Sequence, residues 1–276
     1  MYTLNCKGRL VTISEPIVMG ILNLTPDSFY EGSRLSSLED ALKRAAMMIE
    51  QGATILDIGG QSTRPGSELV NAEEERKRVI PVIDAIHKRF PDQLISIDTF
   101  YAVVAKDAVS AGAHIVNDVS AGNMDEELIP TVINLQVPYV LMHMKGKPLT
   151  MQQNPQYKNV TLEVFDFLQQ KISELTKSGI KEIILDPGFG FGKGASHNFQ
   201  LLKNMFFLQQ LNKPIMVGLS RKATIYKTLG ITAMEALNGT TVMNTIALLN
   251  GANILRVHDV KAAREAITLV KAYQEA

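Results

Sequence analysis

The sequence predicts an α/β fold in which eight parallel strands alternate with helices. Eight short apolar runs recur along the 276 residues, and each is followed by a helix-like stretch. Each run carries a polar or charged residue at or near its end. Because a parallel barrel strand is buried along its length and opens at its carboxyl end, these residues would face one shared cleft. The pattern predicts a single TIM (β/α)8 barrel domain that spans residues 1–276.

The predicted strands read, in chain order, IVMGIL, TILDIGG, LISID, HIVNDV, YVLMH, EIILDP, PIMVGL and ILRVH. The segment before Ile17 predicts a short strand or hairpin that could cap the barrel floor. Long loops are expected after the first and second strands, and another from Met144 to Asn159 after the fifth. Loops of such length are uncommon unless they are functional, and all three would lie at the same barrel mouth.

The first two helices carry recognisable signals. Ser37 with Asp40 suits the start of a helix over about 37–51. The second helix is expected to begin near Glu73, with apolar residues at helical spacing. Pro81 lies inside it and should kink it or mark a break.

Composition and charge argue against nucleic-acid and membrane partners. The 28 Lys and Arg residues balance the 28 Asp and Glu residues, and no Lys/Arg tract stands out. No apolar run is long enough to span a bilayer, and the amino terminus lacks the apolar core of a signal peptide. Cys6 is the single cysteine, so an intrachain disulfide is impossible and a reducing compartment is expected. We therefore expect a cytoplasmic protein.

A glycine-rich segment, Gly188 to Gly194, follows the sixth strand. It fails as a phosphate-binding P-loop, because Pro187 and Gly194 stand where that motif needs Gly and Ser or Thr. We interpret it as a flexible turn that lets a flat ligand approach the backbone, with Phe191 as a stacking wall. A plain strand–helix turn is the alternative.

Asp98, Asn117 and Asp186 end the third, fourth and sixth strands. A buried carboxylate without partners is costly, so three converging groups require a donor-rich ligand or a cation. Asp and Asn together can bind the donors and acceptors of an aminopyrimidinone ring. Alternatively, they can hold Mg²⁺ through oxygen ligands. Capping of the following helices is the structural alternative.

A group of cationic and polar residues follows the seventh and eighth strands, where barrels of this class often bind phosphate. Arg offers a bidentate fork to phosphate oxygens, and Lys offers a compact charge. Arg64, in the second loop, could join them. A surface salt-bridge cluster is the alternative. The group comprises Ser220, Arg221, Lys222, Arg256 and His258.

Patterns for nucleophilic or zinc catalysis find no support in the sequence. Cys6 lies outside the repeating units, and no HExxH or Cys/His set has ligand spacing. Acid–base roles for Asp57 and Asp98 are left open. The role of His143, which ends the fifth strand, is also left open.

Seven motifs along the chain resemble those of the dihydropteroate synthases, a family of folate-pathway enzymes. The match spans nearly the whole chain in order, and the ordered set is specific although no single motif is. The motifs are Asn23-Leu-Thr-Pro-Asp-Ser-Phe, Gly59-Gly-Gln-Ser-Thr-Arg-Pro-Gly, Ser96-Ile-Asp-Thr, Asn117-Asp-Val-Ser, Asp186-Pro-Gly-Phe-Gly-Phe-Gly-Lys, Leu219-Ser-Arg-Lys and Arg256-Val-His-Asp-Val.

The resemblance implies that the chain joins 4-aminobenzoate to 6-hydroxymethyl-7,8-dihydropterin diphosphate and releases diphosphate with Mg²⁺. It further implies a sulfonamide target and a homodimer. A pterin-dependent methyltransferase of the same barrel family is the nearest alternative, but Arg64, Arg256 and His258 suit a diphosphate that such an enzyme does not use. A catalytically silent pterin-binding or scaffold protein is the alternative from another class.

The resemblance also assigns residues to each substrate. Pterin binding is assigned to Asp98, Asn117, Asp186, Phe191, Lys222 and Arg256. Diphosphate binding is assigned to Thr63, Arg64, Arg256 and His258. The 4-aminobenzoate pocket is assigned to Phe29, Pro65, Phe191, Ser220 and Lys222. Mg²⁺ binding is assigned to Asn23, and the catalytic set is Glu31, Arg64, Lys222, Arg256 and His258.

These roles imply a mechanism. The aromatic amine is a weak nucleophile, so the hard step is breaking the carbon–oxygen bond to diphosphate. Mg²⁺, Arg64, Arg256 and His258 would stabilise the charge that grows on the leaving group. A buried carboxylate would favour positive charge at the exocyclic methylene of the pterin. We expect ordered binding and no covalent enzyme intermediate.

Three positions depart from the family pattern. Tyr30-Glu31 stands where Ser-Asp is frequent, so Glu31 would act with a longer side chain. Gln61 stands where many relatives have Glu. Ala223 stands where some relatives have Ser, so Ser220 or Thr224 would have to supply the hydroxyl.

Overall fold

The structure, a computed structural model, describes residues 1–24, 34–61, 69–146, 151 and 155–276, with the backbone alone for 34–37. Its strands are β1 Tyr2–Cys6, β2 Arg9–Ile13, β3 Ile17–Asn23, β4 Ile55–Gly59, β5 Leu94–Asp98, β6 Ile115–Asp118, β7 Tyr139–Met142, β8 Ile183–Asp186, β9 Met216–Val217 and β10 Ile254–Val257. Its α-helices are α1 Arg34–Glu50, α2 Ala72–Arg89, α3 Ala102–Ser110, α4 Leu128–Leu135, α5 Val160–Lys177, α6 Ala195–Lys203, α7 Ala223–Leu229, α8 Leu237–Leu249 and α9 Val260–Glu275. A 3₁₀ helix spans Met205–Leu211.

Strands β3 to β10 form one parallel sheet in which neighbours in the chain are neighbours in space. Strand β3 pairs with both β4 and β10, which joins the first barrel strand to the last. A bridge between Leu185 and Ile215 joins β8 to the residue before β9. The sheet therefore closes into a barrel. Since helices alternate with these strands, the predicted TIM barrel is confirmed.

An antiparallel hairpin of β1 and β2 closes the amino-terminal end of the barrel. Leu4, Cys6 and Ile13 of the hairpin belong to one buried cluster with inward-facing strand residues such as Met19 and Ile184. The hairpin predicted before the first barrel strand is confirmed. Its apolar face excludes water from the barrel floor, so polar groups can open to solvent only at the other end.

Alternation along the strands decides which side chains face the barrel interior. In β4, Ile55 joins the floor cluster, whereas Leu56 and Ile58 belong to the outer core against the helices. Asp57 lies between those two outward residues and therefore points inward. The other barrel strands repeat this arrangement, which sets polar residues above an apolar floor.

The helices surround the barrel, and none of those described is long and apolar enough to cross a membrane. Helix α1 begins at Arg34, about one turn before the predicted start at residue 37. Leu38 packs against the buried core, and the side chains of the extra turn lie outside the described part of the chain. Helix α2 runs through Pro81, so a break there is wrong. Pro81 is exposed, and water can satisfy the carbonyl that its missing N–H leaves unpaired.

Candidate active site

The barrel interior changes from apolar to polar towards the carboxyl ends of the strands. Above the floor, Asp57 lies in register with Ser96, and Asp98 lies in register with Asn117. All four side chains are buried, and Asp57 is fully excluded from solvent. Alternation directs Arg256 of β10 into the same layer. The barrel mouth therefore holds a concentration of buried charge.

Arg256 lies at the centre of this layer and contacts two carboxylates. Its Nε donates to Asp57 Oδ2 at 2.6 Å, and its Nη2 donates to Asp98 Oδ2 at 2.5 Å. Asn117 Nδ2 donates to the same Asp57 oxygen at 3.0 Å. Burial opposes the charge on Arg256, but Asp57 and Asp98 outweigh it and raise the pKa of the guanidinium. The guanidinium therefore stays charged and joins three strands.

Burial also moves the acidic groups of this layer towards protonation. It raises the pKa of Asp98 to about 7, although Arg256 opposes the shift. Burial likewise raises the pKa of Asp186, against the opposing effect of Lys222. Asp98, Asp186, Lys222 and Arg256 act on one another electrostatically, so the structure brings these four predicted residues together.

Lys222 follows β9 and is held by the glycine-rich segment. Its amine donates to the carbonyl oxygen of Phe189 and lies 4.6 Å from the centroid of the Phe191 ring. Burial lowers the pKa of Lys222 to about 8, and Asp186 opposes this shift. The amine is thus charged at neutral pH and has a cation–π contact on the side of the predicted stacking wall.

The glycine-rich segment is a turn whose backbone only glycine suits. Gly188, Gly190 and Gly192 have φ angles of +70°, +82° and +62°, in the left-handed region. A Cβ on Gly188 would lie 1.9 Å from the carbonyl oxygen of His143. The glycines therefore allow the turn to lie directly against the chain that follows β7. This packing favours a built wall of the cleft over the alternative of a plain connection.

Lys193 ends this turn, and its role was missed by the sequence interpretation. The side chain is 2% exposed, and its amine contacts His143 Nδ1 at 2.8 Å. The same amine donates to the carbonyl oxygens of Gly188, Phe191 and His143 at 2.9, 3.1 and 3.2 Å. His143 is thus a partner of Lys193. Lys193 ends the glycine-rich motif of the sequence, but the motif alone does not show which groups its amine contacts.

The predicted cationic group divides in two. Ser220 Oγ and His258 Nδ1 lie 3.0 Å apart, so the ends of β9 and β10 are joined there. Arg221 instead donates to Asp259 from both Nε and Nη2, at 2.8 and 2.9 Å, and to the carbonyls of Ala233 and Met234. The inclusion of Arg221 among the phosphate-binding residues is therefore wrong, because its guanidinium holds the α7–α8 connection and the start of α9.

Asn23 offers the oxygen donor expected for Mg²⁺. Gly59 has no side chain, and two oxygens lie close to the space that its Cβ would fill. They are Asn23 Oδ1 at 3.5 Å and Asp98 Oδ2 at 3.7 Å from that position. Mg²⁺ prefers oxygen ligands and often keeps waters and substrate phosphates in its shell. Asn23 therefore fits a site that substrate oxygens complete. Within the described ranges, no group of three His, Cys, Asp or Glu residues could hold a metal ion alone.

Some of the predicted site residues lie outside the described part of the chain. These are Phe29, Glu31, Thr63, Arg64 and Pro65. Their roles stay predictions. The others lie at strand ends or in the turns that follow them: Asn23, Asp98, Asn117, Asp186, Phe191, Ser220, Lys222, Arg256 and His258.

Gln61, one of the departures from the family pattern, is hydrogen-bonded to the backbone of Val70, which follows residues 62–68 in the chain. Its Nε2 donates to the Val70 carbonyl at 2.6 Å, and the Val70 N–H donates to its Oε1 at 2.9 Å. An amide can both donate and accept, whereas an ionised Glu could only accept. Beneath it, burial raises the pKa of Glu75 to about 8 despite hydrogen bonds from Gln61 and Thr99. This acid is therefore mostly neutral at neutral pH.

Comparison with known proteins agrees with this geometry. The family model described as pterin binding enzyme matches residues 19–258. The dihydropteroate synthase of Escherichia coli (strain K12) is 44% identical over 268 residues, which cover 96% of this chain and 94% of the relative. The chain belongs to the dihydropteroate synthase family. It is a transferase of that family.

Solved structures of the family have the same fold along their whole length. The Yersinia pestis dihydropteroate synthase in a sulfonamide drug complex superposes with a TM-score of 0.94, at 40% identity over 100% of both chains. The Xanthomonas albilineans dihydropteroate synthase with 4-aminobenzoic acid gives a TM-score of 0.92 at 41% identity, covering 99% of this chain and 98% of the other. The family and the fold that the motifs predicted are therefore confirmed.

The Arg256 network generates a prediction about stability. Replacing Arg256 with Met should lower the free energy of unfolding by on the order of 3 kcal/mol, because Asp57 and Asp98 lose their buried cation. Urea unfolding measures this. The matched control is Lys271→Met, which breaks an exposed ion pair with Glu15 and should change stability little. Equal effects of the two variants would contradict the role of Arg256 as the central cation.

Proposed function

We propose that the polar layer at the barrel mouth carries out the dihydropteroate synthase reaction. In it, 4-aminobenzoate displaces diphosphate from 6-hydroxymethyl-7,8-dihydropterin diphosphate and gives 7,8-dihydropteroate. The observation that carries the proposal is the convergence of two buried carboxylic acids, an amide and two cations on one cleft. They are Asp98, Asp186, Asn117, Lys222 and Arg256.

These groups suit the edge of a pterin ring. The aminopyrimidinone edge alternates N–H donors with N and O acceptors, which carboxylates and an amide can match. Asp98, Asn117 and Asp186 would take the donors, and the Lys222 amine would donate to a ring acceptor. Phe191 would lie along one face of the ring, and Arg256 would stack on the other. A ligand without such a polar edge would leave these buried polar groups unpaired. The cleft therefore suits a pterin better than an apolar substrate.

The diphosphate would bind next to the pterin, where cations remain accessible. Arg256 would contact both parts of the substrate, and His258 would contact the diphosphate. The sequence resemblance adds Thr63 and Arg64 to the residues that would bind the diphosphate. Asn23 would hold Mg²⁺ together with diphosphate oxygens, and a bound Mg²⁺ supplies charge neutralisation for the leaving group. The cations would then be aimed at the negative charge that develops as the bond to diphosphate breaks.

The second substrate would lie near Lys222 and Ser220. Because Ser220 is buried and its Oγ lies 3.0 Å from His258, its hydroxyl is held at the border between the two subsites. Phe29, Pro65 and Phe191 would supply the apolar walls. The Xanthomonas albilineans relative with 4-aminobenzoic acid and the Yersinia pestis relative with a sulfonamide drug support this substrate and a sulfonamide-binding pocket. The compared relatives do not carry the methyltransferase name, so that alternative gains no support.

Diphosphate release tests the function directly. Purified protein is mixed with the pterin diphosphate, 4-aminobenzoate and Mg²⁺, and diphosphate and dihydropteroate are measured. We expect both products in equal amounts, and neither when 4-aminobenzoate is left out. The matched control is Asp98→Ala, which removes a pterin acceptor. Failure of the wild-type protein to release diphosphate would overturn the proposal.

The pKa of Asp98 generates a pH dependence for pterin binding. The ionised carboxylate accepts hydrogen bonds from ring N–H groups, and protonation removes that charged acceptor. Because burial raises this pKa to about 7, pterin affinity should rise as the pH increases towards 7 and level off above it. Below 7 the loss should approach about tenfold per pH unit. Calorimetry with 6-hydroxymethylpterin measures the profile.

Asp98→Asn provides the control for this profile. The amide keeps the size of the side chain but does not titrate, so the variant should bind the pterin weakly and with a smaller pH dependence, the remainder coming from Asp186, whose pKa burial also raises. A wild-type affinity that stays level between about pH 5.5 and 7.5 would contradict the assignment of Asp98. Lys222 adds little over this range, because its own pKa lies near 8.

We also propose that the enzyme is a homodimer formed through α8 and α9. Val242, Ile246 and Leu249 share one face of α8 and are exposed, although they are apolar. Leu269 and Tyr273 form a similar exposed stripe on α9 and are 70% and 74% exposed. Apolar surface of this kind marks interaction sites. Sedimentation should give twice the 30.4 kDa chain mass, and Ile246→Glu should give the monomer. A monomeric wild-type protein would exclude the dimer.

A cytoplasmic location and a single domain over residues 1–276 stay predictions. The single cysteine supports the first, because an enzyme without disulfides suits a reducing compartment. Cys6 is buried, and burial raises its pKa to about 12, so the thiol is inert. The continuous sheet and its closed floor support the second.

A further inference from the structure

Among the described residues, Lys193 has the most deeply buried amine that the reaction does not use. This amine lies against the glycine-rich turn. Four acceptors surround it: His143 Nδ1 and the carbonyl oxygens of Gly188, Phe191 and His143, at 2.8 to 3.2 Å. An ammonium group has three donors, so these acceptors use its full capacity. The amine therefore joins the two ends of the turn to the chain after β7.

Burying this amine is costly, which is why its position needs an explanation. Burial lowers the pKa of Lys193 to about 7, and Asp186 opposes the shift. Burial also lowers the pKa of His143 to about 3, with Lys193 as the next cause, so the imidazole is neutral. A neutral imidazole with its proton on Nε2 leaves the Nδ1 lone pair free to accept from Lys193. Methionine would fill the same space without this cost, but it could not hold the carbonyls.

The same turn also contacts the groups assigned to the pterin. The Gly188 N–H donates to Asp186 Oδ1 at 2.7 Å, and the Phe189 carbonyl accepts from Lys222. The Phe191 ring lies under the same Lys222 amine, 4.6 Å away. Three groups assigned to the pterin therefore depend on the path of one short backbone segment. Lys193 fixes that segment at two of its carbonyls.

Other side chains hold the turn at other groups. The Tyr157 hydroxyl donates to the Gly192 carbonyl at 2.9 Å, and the Gly190 N–H donates to Asn198 Oδ1 at 3.0 Å. The glycines themselves give the turn an intrinsically flexible backbone, since they allow conformations that other residues disfavour. The hydrogen bond from Phe191 N–H to the Gly188 carbonyl closes the turn upon itself at 3.1 Å. That carbonyl is one of those that Lys193 holds, so the amine supports the closing bond of the turn.

We infer that Lys193 is a positioning residue for pterin binding: by holding the Gly188 and Phe191 carbonyls, it sets the turn that orients Asp186, Phe191 and Lys222. The inference rests on the proposed pterin site. Residues that lock a binding group from behind are expected to change affinity without touching the ligand. Arg256 donates to Asp57 and Asp98, and His258 contacts Ser220, so we expect the diphosphate end to depend less on Lys193 than the pterin end does.

The test compares two ligands on one variant. Lys193→Met should raise the calorimetric Kd for 6-hydroxymethylpterin by about tenfold or more, while the Kd for inorganic diphosphate with Mg²⁺ changes by less than about threefold. General destabilisation would not separate the two ligands in this way. The matched control is Lys203→Met, the same change at an exposed lysine ending α6. It should leave both affinities unchanged.

A third variant separates this inference from the proposed function. Lys222→Met removes a group placed in the pterin site itself and should also weaken pterin binding. If Lys222→Met weakens binding and folded Lys193→Met does not, the positioning role is wrong and the site stands. If neither variant changes pterin affinity, the pterin site itself is wrong, and the inference falls with it.

Folding of the variant does not limit the test. Should Lys193→Met fail to fold, Lys193→Leu removes the same amine with a different apolar side chain, and wild-type pterin affinity in that variant would overturn the inference. Hydrogen exchange of the unaltered enzyme gives an independent measurement. Without ligand, the amides of Gly188 and Phe191 should exchange as slowly as those of the barrel strands. Rapid exchange would show a turn that is not held, and would overturn the inference even if neither variant folds.

Discussion

The rest of the cleft depends on the contacts from Arg256 to Asp57 and Asp98. These contacts form inside a barrel whose floor is sealed by apolar side chains. Without the guanidinium, the mouth would hold buried carboxylates whose ionisation low polarity opposes. With it, Asp57 keeps both a cation and the amide of Asn117 as partners, so four strand ends are tied to one another. The carboxylates in turn hold the guanidinium in one orientation, which gives the cleft a fixed charge pattern before any ligand arrives.

A second set of contacts does the same for the opposite side of the cleft. Two lysines, Lys193 and Lys222, hold the glycine-rich turn. Both amines donate to backbone carbonyls of the turn, so the segment is held at more than one point. The Arg256 contacts join strand ends whose positions the sheet fixes, whereas the two lysines themselves fix the position of a turn. Loss of one of these lysines should therefore disturb mainly the turn, whereas loss of Arg256 should disturb several strand ends.

The sequence predicted the barrel, the hairpin and the convergence of the strand ends, because each depends on a repeated pattern. Asp98, Asn117 and Asp186 could be found from their places after apolar runs. Arg221 could not be separated from Lys222 by sequence, since the left-handed backbone at Arg221 (φ 55°) and the position of Asp259 decide where the guanidinium goes. The role of Lys193 was equally hidden, because the carbonyls that hold it come from residues up to 50 positions away. The extra turn of α1 lies before the start signal of Ser37 and Asp40, and Pro81 looks like a breaker unless its exposure is known.

The charge pattern also explains why the pterin and the diphosphate should arrive as one molecule. In the described contacts, Arg256 uses Nε and Nη2 for Asp57 and Asp98, so much of its charge is already neutralised. A diphosphate that came alone would compete with two buried carboxylates for this cation. Under the proposed assignment, a pterin ring that donates to Asp98 would take up lone pairs of that carboxylate and weaken its hold on Arg256. The ring would thus make the guanidinium available to the anion attached to it. Binding energy from the ring would then be used where the bond to diphosphate must break, which is how remote contacts contribute to rate.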